Sequence, residues 1–330
     1  MYNIGLQANT ALADMGLSGI AGWRGQLLEG LGIGYDPTSI GACFWHGFLY
    51  FLPVYVVTMA AGGFWEVLFA IVRNHEVNEG FFVTSLLYAL VLPPTIPLWQ
   101  VALGISFGVV IGKEIVGGTG RNFMNPALTA RAFLYFAYPV SLSGDQVWTV
   151  LSGARTTVVD TFTAATPLSV SASTPSGQAV EETLHSVGYG ALKLFGGLYP
   201  GSVGGTSTLL CVLGGLFLIL LGIASYRIIL GGVLGVLCTG ALLNLIAGPD
   251  SAPFLSLNPF YHLIMGGSAF GIVYMTTDPV SATHMKHVKW VYGFMCGMLT
   301  VLIRVFNPAF PEGVGLAILF MNLFNPLLDH

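Results

Sequence analysis

"GFFVTSLLYALVLPPTIPLWQVALGISFGVVIGKE", residues 80–114, decides the fold. Two apolar runs, 80–95 and 97–116, flank the proline-rich "PPTIP" at 93–97. A helix needs about 20 apolar residues to cross a bilayer, and the first run falls short. Proline stops a helix by removing a donor and clashing with the preceding turn. Short runs interrupted in this way read as helices that break within a membrane, where irregular backbone survives only if protein encloses it. The same pattern recurs at 127–140, which follows "NP", and at 262–276, which runs into "TTDP".

Working outward, longer runs appear near 47–72, 206–225, 228–247, 289–305 and 313–328, giving nine spans with those above. The 330 residues are 54% hydrophobic and only 8% charged, with a mean hydropathy of +0.77. A soluble domain carries roughly 25% charged residues. The fold class is therefore all-α, a polytopic integral membrane protein forming a single membrane domain over 1–330. The net charge of −4 leaves no basic face for nucleic acid. Cys43, Cys211, Cys238 and Cys296 are scattered, with no CxxC and no disulfide framework. The opening "MYNIGLQANTALADMGL" lacks the basic and apolar regions of a signal peptide. It reads as the end of a helix followed by a loop, so residues are expected upstream.

Positive charge predicts orientation, since cytoplasmic loops are enriched in Lys and Arg. Arg73, Lys113, Arg121, Arg131, Arg227, Lys286 and Lys289 fall at one set of turns, expected to be cytoplasmic, and Arg24, Arg155, Lys193 and Arg304 at the other. The C-terminus is then cytoplasmic and the 141–205 loop lies on the outer face. That loop contains "DTFTAATPLS", 160–169, rich in hydroxyl side chains beside one acid. It is either a solvated loop or the site of a modified hydroxyl. "MNPALTA" (124–130) and "TDPVSAT" (277–283) echo each other, as do "NEGFFVTSLLYAL" and "PEGVGLAILFMNL". An internal duplication, with halves near 43–140 and 206–330, would bring such elements to a midplane site.

Four groups of residues could carry chemistry. In "GKEIVGGTGRNFMNPALTARAF" the glycines follow an apolar helix, not a strand, and no Walker lysine follows, so neither nucleotide motif applies. Asn122 and Asn125 could grip a planar heterocycle through their amides, or Asn125 could cap a helix beginning at Pro126. Gly62 and Gly63 permit close approach of a helix or a flat ligand. Glu66 is costly in lipid, so it faces protein, water or a ligand. Asp278, after Phe270 and Tyr274 at helical spacing, could bind a hard cation with the hydroxyls of Thr276, Thr277 and Ser281, or cap a solvated turn. The seven histidines show no metal spacing, and no Ser-His-Asp order or HExxH is present.

The stretches "GGFWEVLFAIVRNHEVNEGFFVTS", "LPPTIPLWQVALGISFGVVIGKE", "GGTGRNFMNPAL" and "PEGVGLAILFMNLF" strongly resemble the B subunit of the bacterial Na+-translocating NADH:quinone oxidoreductase (NQR), a family shared with the D subunit of the Rnf complex. The resemblance runs from about residue 43 to 330, and "MYNIGLQAN" also fits. It implies a urea-transporter-like inverted repeat of about ten transmembrane helices in the full chain, nine complete here, in the bacterial inner membrane with 141–205 periplasmic. It implies FMN joined by a phosphoester to threonine in the pattern Asp-x-x-Ser/Thr-Gly-Ala-Thr. Asp160, Thr163, Ala164, Ala165 and Thr166 match that pattern, with Ala164 in the glycine position and Thr166 as the attachment residue. It further implies riboflavin at Asn122 and Asn125, ubiquinone near Gly62, Gly63 and Glu66, and Na+ passage near Asp278 with Phe270 and Tyr274 as an aromatic constriction. The expected partners are an FMN-bearing subunit, iron–sulfur subunits, a flavin transferase and membrane lipid. Electrons from NADH would reach ubiquinone through FMN and riboflavin, coupled to Na+ translocation. Two alternatives stay open: the D subunit of an Rnf complex, which quinone reduction by the assembled complex would exclude, and a flavin-free channel or permease, which would purify colourless.

Overall fold

The computed structural model describes residues 1–74, 76–142, 149–150, 165–248, 251–307 and 312–329. Asp160, Thr163 and Ala164 lie outside them. The described residues form helices, turns and irregular segments and contain no strand. This follows from apolar runs whose backbone groups must be satisfied within each segment.

Helix α1 (Tyr2–Asp14) packs antiparallel on α3 (Ile40–Arg73), with the short α2 (Trp23–Gly30) between them in sequence. Ser39 starts α3 by accepting the Ala42 amide at 3.3 Å, and Asn74 ends it in the left-handed region at φ 51°. Helix α4 (Gly80–Val91) stops where Leu92, extended before Pro93, can no longer be helical. Helix α5 (Leu98–Val109) continues into a π-turn, Val110–Glu114, and α6 (Pro126–Ala137) follows. The described residues from 165 onward then fold into three short helices, α7 (Pro167–Ala172), α8 (Val180–Ser186) and α9 (Ala191–Gly196). Then come α10 (Thr208–Leu220), α11 (Tyr226–Ile246), α12 (Pro259–Ile264) and α13 (Ser268–Phe270), the last entering a second π-turn, Gly271–Met275. Helices α14 (Val288–Phe306) and α15 (Val314–Leu328) complete the chain.

Each apolar run expected from the sequence has a helical counterpart, but the run at 262–276 divides at Met265–Gly267, where Gly266 sits at φ 63°. Helices α3, α11 and α14 are long and apolar enough to cross a membrane. Their outward faces, such as Val56, Phe64 and Ile71 of α3 and Leu242 and Leu245 of α11, are exposed apolar side chains that suit lipid and not water.

The most extensive helix pairing among the described residues is α11 with α14. A Cβ on Gly235 would stand 2.1 Å from the Phe294 carbonyl oxygen, and one on Gly297 2.1 Å from that of Gly232. These small-xxx-small faces let two backbones touch, the main source of helix affinity where lipid offers no hydrophobic drive. The three short helices α7, α8 and α9 are not detached from this framework. Leu168, Val170, Val180, Leu184 and Leu194 share one buried cluster with Val236, Met265, Ile272 and Val301.

The charges used for orientation need correction. Lys113, Arg131 and Arg304 are buried, so they are internal partners and not loop charges. Arg131 pairs with Glu312, and Arg304 donates to the carbonyls of His262 at 2.6 Å, Met265 at 3.2 Å and Glu312 at 3.1 Å.

Candidate functional site

The two π-turns make the site. In the first, the Ile115 amide bonds to the Val110 carbonyl at 2.9 Å, and in the second the Thr276 amide bonds to Gly271 at 2.9 Å. Each adds a residue at the end of a helix, the second directly before Asp278-Pro279 and the first ahead of the glycine-rich turn that leads to Asn125-Pro126. Such bulges concentrate at functional sites. Both breaks open onto one cavity of about 410 Å³. Lys113, Thr119, Asn122, Asn125 and Pro126 line one side, and Tyr274, Thr277, Asp278, Pro279 and Val280 the other. Val83 and Leu87 of α4, with Leu218, Ile223 and Ala224, supply apolar wall. The volume falls in the ~300–1,000 Å³ range of small-molecule sites, and apolar walls with a few convergent polar groups are their usual chemistry.

Asn125 caps α6: its Oδ1 accepts the amides of Ala127 at 3.0 Å and Leu128 at 3.3 Å. The capping reading is therefore right for its oxygen, while its NH2 group supplies donors that the cap does not use. Asn322 of α15, with its carboxamide oriented by its neighbours, accepts the Asn125 amide at 3.2 Å and donates to the Tyr292 hydroxyl at 2.7 Å. Asn122 donates to the Met124 carbonyl at 3.1 Å, which fixes its plane. Across the cavity, Asp278 accepts the Ser281 hydroxyl at 2.6 Å and the Val280 amide at 3.3 Å. Its carboxylate caps its own turn and is half-buried on the cavity wall. Thr276 and Thr277 donate back into their helix, to Ile272 at 2.6 Å and Val273 at 2.7 Å. Among the described residues no group of three or more His, Cys, Asp or Glu side chains could hold a metal. A cation here would rely on Asp278, hydroxyls and carbonyls, the donor set of a hard ion.

Phe270 and Tyr274 are neighbours, with ring centroids 5.1 Å apart. Phe270 is buried, while Tyr274 reaches the cavity and packs on Gly214 of α10. Gly62 and Gly63 do not line the cavity. A Cβ on Gly62 would stand 2.5 Å from the Phe81 ring, so this glycine makes room for α4. Glu66 is buried, 3% exposed, and its Oε1 accepts from Lys113 Nζ at 2.5 Å. Lys113 carries that connection to the cavity wall. Lys113 also lies 4.0 Å from Glu114, which pairs with Arg73 at 3.2 Å. The sequence reading missed this four-charge network. The signal was present, because the cost in lipid that applies to Glu66 applies equally to Lys-Glu inside "GVVIGKEIVG".

Thr166 stands at the start of α7 in a second, small cleft with Tyr199, Gly201, Ser202, Gly266, Gly267 and Glu312. It is half-buried, and its Oγ1 accepts the Ser169 amide at 3.2 Å. The Tyr189 hydroxyl donates to the carbonyl of Ala165 at 2.9 Å and so pins the preceding residue. Burial pushes the Tyr189 phenol up to about 12, so this donor stays protonated across the neutral range. No sequence signal marks Tyr189. One stretch joins the two places: residues 266–280 border the Thr166 cleft at Gly266 and Gly267 and the cavity from Tyr274 to Val280. The seven helical steps from Gly267 to Tyr274 span about 10 Å.

Helices long enough to span a bilayer, paired breaks and a polar-ended cavity between them define a helical membrane protein with a ligand-sized internal cavity. The profile of the NQR2, RnfD, RnfE family matches residues 1–330, and the chain belongs to that family. It is 55% identical over 330 residues to the B subunit of the Na(+)-translocating NADH-quinone reductase of Chromohalobacter salexigens, covering 100% of this chain and 76% of that protein. It is 54% identical over 332 residues to the protein of the same name in Ectopseudomonas mendocina and 53% over 334 residues to that in Pseudomonas aeruginosa, covering 100% of this chain and 79% of each of those proteins.

Proposed function

We propose that this protein is the membrane-embedded B subunit of a Na+-translocating NADH:ubiquinone reductase of the bacterial inner membrane. In this reading it carries FMN as a phosphoester on Thr166, holds riboflavin in the cavity, and passes electrons to ubiquinone in step with Na+ movement. The observation that carries the reading is the convergence of residues more than 140 positions apart in sequence, Asn122 and Asn125 with Tyr274 and Asp278, on one cavity that residues 266–280 link to the Thr166 cleft.

The residues fit these groups. The cavity has the size and apolar walls for a planar ring system, with carboxamides at one break for imide edges. The Thr166 cleft is bordered by glycines, and its one carboxylate, Glu312, is paired with Arg131. Flavins supply the electron chemistry that side chains lack, and the protein's part is to bind, orient and tune. Thr166 offers the hydroxyl, held by Ser169 and by the Tyr189–Ala165 bond beside it. Asp278 offers charge for Na+ at the cavity wall, and Phe270 with Tyr274 narrows the way along the broken helix. Glu66 lies behind Lys113, with the buried Gly62 and half-buried Gly63 one turn before it on α3, where quinone would approach from the α3–α4 side. Ten spans, inverted repeat halves, a periplasmic 141–205 segment and partner subunits carrying FMN and iron–sulfur groups complete the proposal.

Peptide mass spectrometry on the native protein tests it. A gain of FMN less water mapped to Thr166 is expected. An unmodified Thr166 from cells holding the transferase, in a colourless protein, would favour the flavin-free permease.

A further inference from the structure

Lys113 has no need to be at the cavity wall for the sake of stability. Buried ion pairs are weak contributors, and apolar packing of the same volume often does as well. Yet the first π-turn rotates Gly112, Lys113 and Glu114 inward together, and all three are buried. Lys113 is then anchored by Glu66 at 2.5 Å and flanked by Glu114 at 4.0 Å, while Arg73 balances Glu114 at 3.2 Å. Two cations and two anions sum to zero, and among the described lining residues Lys113 is the one cation and Asp278 the one anion. The positive end of this network is thus presented to the cavity from a scaffold that cannot relax easily.

We propose that Lys113 is a positioning residue that raises the reduction potential of the flavin in the cavity, with Glu66 fixing its ammonium in place. This rests on the proposed occupancy of the cavity by a non-covalent flavin. A ring that takes up one electron without a proton gains one unit of negative charge. A fixed ammonium across a low-dielectric wall favours that form more strongly than it would in water. Charge beside the ring is a recognised means by which a protein tunes a flavin. No bond forms or breaks at Lys113.

The test uses the assembled, membrane-extracted complex. Lys113→Met, Lys113→Arg and the double variant Lys113→Met with Glu66→Gln are compared with wild type. The double variant avoids leaving Glu66 buried without its partner. Acid extraction counts the non-covalent flavin, and spectroelectrochemical titration reads each flavin's midpoint. In Lys113→Met and in the double variant the non-covalent flavin should remain at wild-type content. Its midpoint should fall by a tenfold or greater change in the reduced-to-oxidised ratio, which is about 59 mV for a one-electron couple. The FMN on Thr166 is the internal control and should not move, and Lys113→Arg should recover most of the shift. An unchanged midpoint at full flavin content would overturn the inference. So would loss of the non-covalent flavin from both variants with FMN intact, which would make Lys113 a binding residue. A wild-type complex without extractable flavin would overturn the occupancy itself, a different result from either.

Discussion

Thr166 has two tasks that substitution can separate. Its oxygen caps α7, and it is the proposed attachment point for FMN. Thr166→Ala removes both, with a capping cost of about 1 kcal/mol. Thr166→Ser keeps an oxygen for the cap and a hydroxyl for the transferase. In-gel flavin fluorescence of the denatured protein should vanish in the alanine variant and persist in the serine variant; equal loss in both would show that a hydroxyl at this position is not enough without the methyl group. Asp278 can be separated in the same way. Asp278→Asn keeps acceptor capacity for Ser281 and Val280 but removes the charge. Quinone reduction should lose most of its Na+ stimulation, by roughly tenfold or more in the Na+ concentration required, since one unit of charge in a half-buried site is worth at least that much. An unaltered Na+ dependence would remove Asp278 from the cation path.

At the scale of elements, the α11–α14 contact leaves no room for a side chain at its glycines. Gly293→Leu would place its Cβ 2.2 Å from the Ile228 carbonyl oxygen, so the helices must part. The cost is about 1–3 kcal/mol or more, the usual range for overpacking. Lower thermal stability of the detergent-solubilised protein, against little change for Leu at the exposed Cys238, is the expected outcome. Much of this level was legible in the sequence. Proline and the Asn-Pro and Asp-Pro pairs act locally, so "PPTIP", Asn125-Pro126 and "TTDP" mark the breaks correctly. Asn125 and Asp278 stand out in the sequence for the same reason. The π-turns were not legible, because nothing in "VIGKE" or "GIVYM" distinguishes one extra residue per turn from ordinary helix. The partner of Glu66 was also hidden, since Lys113 reads as a loop charge when only its place in the chain is known. A hydrophobic run records that a residue is in the membrane, but not which way it faces.

For the molecule as a whole, the C-terminus is tied back to the turn that follows the cavity. Asp329 accepts the Thr283 hydroxyl and the amides of His284 at 3.2 Å and Met285 at 3.4 Å, while Asn325 donates to the Ser281 carbonyl at 2.9 Å. Partial burial opposes ionisation of Asp329, but the bonds from Thr283, His284 and Met285 outweigh it and hold the carboxyl below its ordinary range. A depressed folded value means this clasp contributes stability above the ordinary aspartate range and loses it as pH falls through the folded value. Asp329→Asn should therefore flatten the acid side of the stability profile and leave the neutral side lower. A thermal-shift series across pH would read it, and an identical profile would dismiss the clasp. Long-range ties of this kind, like Arg131 to Glu312 and Asn322 to Asn125, join residues far apart in sequence, and only the fold reveals them.

The two π-turns carry one more consequence. Each is, in effect, a single-residue insertion in a helix, so each can be undone by a single-residue deletion. Removing one residue from 110–112 would convert the turn to ordinary α-helix and keep the chain's hydrogen bonding whole. It would also shift Lys113 and Glu114 about and along the axis, off the positions at which they meet Glu66 and Arg73. In a family related by descent, this segment should therefore tolerate exchange of side chains far more readily than any change in its length.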